Sequence, residues 1–175
     1  MKKLITFVLC TVISFSLVAC GNNTPEKPDN SEKPDNSQMS GGNSAQIPNP
    51  FVDCETIDKA EQLANFKISL PENMPEGYTE SVIRGIKGEM IEVNYLNNDN
   101  EICIRKAKGA EDISGIYDEY AETNTITVGD LQIATKGADG KVNVATWIKG
   151  DYTFAISSSE GIGSDAICNM IENIQ

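Results

Sequence analysis

The sequence contains no histidine and a single tryptophan, and its 14 lysines and arginines are outnumbered by 26 aspartates and glutamates, for a net charge of −12. The missing histidine removes the commonest general base, the commonest metal ligand and every Ser-His or Cys-His nucleophile pair. The shortage of cations excludes nucleic-acid partners, whose phosphates need neutralising by Lys and Arg, and it disfavours adsorption of the protein body to anionic lipid. Five cysteines are present, but none of their separations is a CxxC spacing, so a zinc cluster or a redox dithiol is not expected. No apolar run reaches the roughly 20 residues of a comfortable membrane span. Carboxylate-only chemistry, such as glycoside hydrolysis by paired acids, is the one catalytic class that composition leaves open.

What the chain does have is concentrated at its start. Lys2 and Lys3 precede an apolar stretch from Leu4 to Val18, followed by Leu17-Val18-Ala19-Cys20-Gly21 with small residues on both sides of the cysteine. This segment resembles the signals of bacterial lipoproteins. The resemblance implies that residues 1–19 are a signal peptide and that Cys20 carries a diacylglyceryl thioether, with fatty chains such as palmitate, on the outer face of the cell membrane. Two chains hold firmly, because each buried methylene adds about 0.8 kcal/mol. An ordinary cleavage site that contains a cysteine, or an uncleaved anchor, is the competing reading. Cys10 would leave with the signal, and losing Lys2 and Lys3 would leave 12 basic residues against 26 acidic ones, a net charge of −14.

Residues 20–50 read as the lipidated cysteine and a disordered tether. Glu26-Lys27-Pro28-Asp29-Asn30-Ser31 is repeated as Glu32-Lys33-Pro34-Asp35-Asn36-Ser37, and Gly41-Gly42-Asn43-Ser44 follows. So little apolar surface cannot offset the entropy of ordering the chain. About thirty such residues reach roughly 30 Å.

From Phe51 to Gln175 the composition is that of a single globular domain. Cys54, Ile57, Ala60, Leu63 and Ala64 recur at helical spacing behind Asp53, which predicts a helix over residues 53–65. A strand is expected near 66–70, ended by Pro71 and Pro75. Period-two alternation predicts further strands around Ile91 to Tyr95, Ile102 to Ile104, 123–128, 131–136, 141–148 and 151–157, joined by turns at Asn97 to Asn100, Gly129-Asp130, Ala138 to Gly140 and Lys149 to Asp151. In the strand over 141–148, Val142, Val144 and Ile148 are the expected inward set. Ile167, Met170, Ile171 and Ile174 mark a C-terminal helix with Ser164 as its N-cap. The fold expected is α+β: a curved antiparallel sheet of about seven or eight strands with N- and C-terminal helices packed on one face.

The run from Lys108 to Tyr120, then Ala145-Thr146-Trp147 and Gly150 to Ile156, resembles members of domain-of-unknown-function family 4367. The likeness covers roughly residues 55–175. It implies an extracytoplasmic domain of Gram-positive bacteria, often lipid-anchored, and more distantly an open-barrel fold like that of lipoprotein carriers, with a concavity for lipid or peptide. It supplies no catalytic residues.

Four groups of residues are candidates for sites. Trp147 with Ala145 and Ala155 could floor a ligand groove on the outer side of the sheet, or plug a second small core. Asp112, Tyr117, Asp118 and Tyr120 belong to an oxygen-rich loop whose spacing matches no EF-hand, so the loop is expected to be structural and anchored by its two tyrosines. Cys54 and Cys168 are the candidate disulfide, with three separate thiols including Cys103 as the alternative. Gly161 to Ser164 is expected to cap the last helix and not to bind an anion.

The reading that follows is a monomeric, membrane-anchored extracytoplasmic lipoprotein without cofactor or metal. Its domain is expected to bind or sense a cell-envelope partner (peptide, lipid or protein) and not to be an enzyme. A carboxylate-dependent enzyme acting on cell-wall glycans and a structural spacer are the alternatives.

Overall fold

A computed structural model describes residues 48–174. The expected signal segment, Cys20 and most of the expected tether therefore lie outside the described residues. The order of elements is β1 (Val52–Cys54), α1 (Ile57–Ala64), β2 (Thr79–Ile86), β3 (Met90–Asn97), β4 (Asn100–Lys108), β5 (Glu122–Val128), β6 (Leu131–Ala138), β7 (Lys141–Lys149), β8 (Tyr152–Gly163) and α2 (Ser164–Asn173). All eight strands form one antiparallel sheet in the order β1-β2-β3-β4-β8-β7-β6-β5. The sheet is thus two meanders joined where β4 pairs with β8, with Ile104 opposite Ile156.

The expected α+β architecture is present, and tight turns set its registers. Asp139 and Gly140 both take positive φ, 54° and 72°, the conformation that a two-residue hairpin needs to match strand twist. One face of the sheet carries Ile83, Ile91, Val93, Ile102, Ile104, Phe154 and Ile156, and both helices cover it. α1 lies close enough to β2 that a side chain at Gly85 would press on Leu63 and the Met90 carbonyl. α2 contributes Ile167, Met170 and Ile171, at i, i+3 and i+4, which keeps them on one stripe.

Four expectations are corrected. The first helix begins at Ile57, not at residue 53: Thr56 is its N-cap, accepting from the Lys59 N–H, and the residues before it pair with β2 as a short edge strand. Ser164 is the first helical residue of α2, and Gly163 occupies the cap without a side-chain bond. Residues 66–70 make no strand, because side chains satisfy their backbone: Ile68 N–H donates to Glu61 Oε1 and Lys106 Nζ donates to the Lys67 carbonyl. The strand paired with β3 on this side is β2, which is not expected from the sequence and whose alternation is interrupted by a bulge between Glu80 and Val82.

The face assignment of β7 is also inverted. A bulge between Val142 and Val144 shifts the alternation by one residue, so Ala145 and Trp147 turn to the core while Val144 and Ile148 face the other side. Gly137, opposite this bulge, has no room for a side chain, since a Cβ there would collide with the Lys141 carbonyl.

Candidate functional site

The second face of the sheet is polar at its centre. Register places Arg84, Glu92, Arg105 and Ala155 in one row across β2, β3, β4 and β8, and Asn94, Cys103 and Ser157 in the next. Glu92 is completely buried and bridges two guanidinium groups: Arg84 Nε lies 2.5 Å from Oε1 and Arg105 Nε 2.7 Å from Oε2. A buried carboxylate must be paired and hydrogen-bonded to be tolerated, and here both oxygens are.

The chain leaves β4 at the middle of the sheet and must reach the far edge to begin β5. Residues 109–121 make that journey as a strap across the polar face. Arg105 Nη1 holds it from below by donating to the carbonyls of Ile113 and Ser114 at 2.9 and 2.7 Å. Gly115 is required at the contact, with φ +69° and no space for a Cβ against Arg105. Thr153 Oγ1 donates to the Gly109 carbonyl at the strap's start. Between strap and sheet lies a cleft of about 350 Å³, floored by Glu92, Arg105 and Cys103 and rimmed by Glu101, Asp118 and Tyr120. That volume is at the small end of the range for ligand pockets.

The electrostatics follow from burial. Burial pushes the Cys103 thiol up to about 12, with Glu92 adding to the shift, so it is a neutral thiol at physiological pH and a poor nucleophile. Burial alone would lower the Arg105 pKa, but its Cys103 and Glu92 neighbours raise it. Tyr120 is raised by burial and by Asp118. Asn94 Oδ1 is a buried acceptor with no donor among the described residues.

The expected site residues are only partly brought together. Asp118 and Tyr120 line the cleft. Asp112 sits further along the strap, accepting from the Ser114 N–H and lying 3.8 Å from Lys136 Nζ. Tyr117 is 97% exposed, so the tyrosines do not both anchor the loop; buried Ser114 and Arg105 do. Trp147, Ala145 and Ala155 are not brought together as the floor of one groove, although Trp147 borders an open depression between the start of the strap and β6 and β7. Trp147 is 3% exposed and stacks on Phe154 in the main core, with ring centroids 5.3 Å apart, whereas Ala155 faces the polar side opposite Thr146 and Arg105. Cys54 lies on the edge strand β1 instead of a helix, and Cys54, Cys103 and Cys168 are free thiols. Among the described residues, no three His, Cys, Asp or Glu side chains converge as a metal site.

The Arg84–Glu92–Arg105 cluster was not singled out from sequence, although a signal existed. The turn that pairs Asn97 with Asn100 sets Glu92 directly across from Arg105, and opposite charges facing each other in mid-strand are a readable pair.

Fold and site together define an α+β domain built on one open sheet, with helices on its apolar face and a strapped polar cleft on the other. The chain belongs to the family described as a domain of unknown function (DUF4367), whose model matches residues 69–174. The match begins after α1, later than residue 55, and contains every cleft-lining residue. No curated protein and no solved structure matches the chain, so the more distant likeness to lipoprotein carriers has no structural match behind it.

Proposed function

We propose that this chain is a lipid-anchored lipoprotein of the outer face of the cell membrane, whose domain binds a small polar envelope ligand in the cleft beneath the strap without transforming it. The observation that carries the reading is the construction of the cleft: a fully buried glutamate between two arginines, roofed by a segment that one of those arginines holds. A polar floor of this kind favours a charged or hydrogen-bonding ligand over an acyl chain. Glu92 has both oxygens engaged and is unsuited to proton transfer, which favours binding over glycan cleavage. The anchor rests on the Leu17 to Gly21 motif and the acidic, proline-bearing tether behind it.

Native mass spectrometry of the full chain, expressed in a Gram-positive host and released from its membranes, tests both halves. The expected spectrum carries a diacylglyceryl mass on Cys20 and a small adduct that is absent from the Arg84→Gln protein. An unmodified chain in the soluble fraction contradicts the anchor. An adduct equally present in both proteins, or none in either, contradicts the cleft.

A further inference from the structure

The floor of the cleft has more donors than the protein uses. Arg84 and Arg105 each give Nε to Glu92, and Arg105 also gives Nη1 to the two strap carbonyls. Among the described residues, Arg84 Nη1 and Nη2 and Arg105 Nη2 have no protein oxygen to donate to. One carboxylate against two guanidiniums leaves the floor with a net positive charge. The Phe51 ring lies 4.6 Å from the Arg84 guanidinium, and the unused N–H groups of that planar fork match the bidentate geometry of a carboxylate.

The rim has the opposite character. Glu101 and Asp118 have no cationic partner within salt-bridge distance among the described residues. Between floor and rim lies the buried, unpartnered acceptor Asn94 Oδ1. Arg105, Cys103 and Glu101 occupy alternate positions on β4, and each such step is about 7 Å along the strand. Arg105 and Glu101 are therefore roughly 13 Å apart at the backbone. An extended chain covers at most about 3.6 Å per residue, so, with side chains reaching inward, two or three residues span the distance. A polyanion would meet the rim acids, and a neutral sugar would leave the floor charge uncompensated.

We infer that the cleft takes a short peptide of two or three residues with both ends free, its carboxylate on Arg84 and Arg105 and its amino group between Glu101 and Asp118. The inference rests on the reading of the cleft as a ligand site and names what that site selects. A backbone N–H of the peptide supplies the donor that Asn94 Oδ1 lacks.

The test is calorimetric titration of the full chain in detergent with tri-alanine, its C-terminal amide, its N-acetyl form and the doubly blocked form. Tri-alanine is expected to bind, and each single block to weaken binding about tenfold or more, the worth of a charge-assisted bond. Arg84→Gln should weaken the free and N-acetyl peptides alike and leave the amide unaffected, while the double variant Glu101→Gln/Asp118→Asn should show the reverse. A purely structural role for these side chains would not produce that crossed pattern. Arg84→Lys keeps the pair with Glu92 but loses the fork, so it checks the result should Arg84→Gln fold poorly.

Equal binding of the free and doubly blocked peptides overturns the charge assignment while the cleft survives as the site. So does failure of every tripeptide to bind when the native spectrum still shows an adduct that Arg84→Gln removes. No tripeptide binding together with no such adduct overturns both.

Discussion

Glu92 is the residue on which the polar face depends. Replacing it by glutamine leaves two guanidiniums without their shared counter-charge, and removing one partner of a buried pair costs about 3 kcal/mol or more. Urea denaturation of the Glu92→Gln protein, followed by Trp147 emission, should show that loss; a change below about 1 kcal/mol would mean that the arginines find other partners. Cys103 makes a separate prediction. Its thiol is raised from 9.0 to about 12, chiefly by burial, so the folded state holds its proton when the unfolded chain has lost it. Its contribution to stability is full below pH 9.0 and is lost as pH rises toward 12. A Cys103→Ala protein should lose less stability over that interval, what remains including Tyr95, raised from 10.0 to about 12 by burial. Mass-mapped alkylation at pH 8 should find Cys103 the slowest of the described thiols, behind half-buried Cys54 and Cys168. At this scale the sequence was legible only in pairs: Glu92 opposite Arg105 follows from counting back from a turn. Burial of Glu92 does not, because the strap that Arg105 holds over this face follows a path that no local pattern records.

Among the elements, the strap is the part whose stability is local. A methyl group at Gly115 would strike Arg105 and would force a left-handed φ on a residue with a side chain. The Gly115→Ala protein should keep its global unfolding midpoint within a few degrees, and hydrogen exchange of the Ser114 N–H should speed up severalfold. Acid should have a similar local effect. Burial tends to raise the Asp112 carboxyl, but the Ser114 N–H, its hydroxyl and Lys136 outweigh this and hold it below its ordinary 3.8. The stabilisation is therefore present above pH 3.8 and lost as pH falls further. The elements also show where sequence patterns fail. The bulge in β7 reverses the alternation after Val142, so reading by twos put Trp147 on the wrong side of the sheet. The segment at 66–70 alternates like a strand, yet its ladder is replaced by a bond to Glu61 and one from Lys106. Neither is visible locally, because a bulge is decided by its partner strands and a buried lysine by the aromatic cage of Tyr152, Phe154 and Phe66 around it.

At the scale of the molecule, the fold class was readable because hairpin turns and two amphipathic helices are local signals that agree with one another. The choice of functional face was not, since both faces of a half-covered sheet carry alternating residues. The single tryptophan separates the two accounts. In the core, stacked on Phe154, it should emit at short wavelength and resist acrylamide quenching, and Trp147→Ala should cost about 3–5 kcal/mol. A tryptophan flooring an open groove would be readily quenched and cheap to remove. The helix-covered face would then be structure, and the strapped face the one that carries the proposed ligand. The direct measurement is amide chemical-shift mapping of the isotope-labelled full chain as a low-molecular-weight extract of cell envelope is added. The account predicts shifts confined to the row of Arg84, Glu92 and Arg105, the row of Asn94, Cys103 and Ser157, and the strap from Ser114 to Tyr120. Shifts centred on α1 and α2, or a spectrum that the extract leaves unmoved, would contradict it.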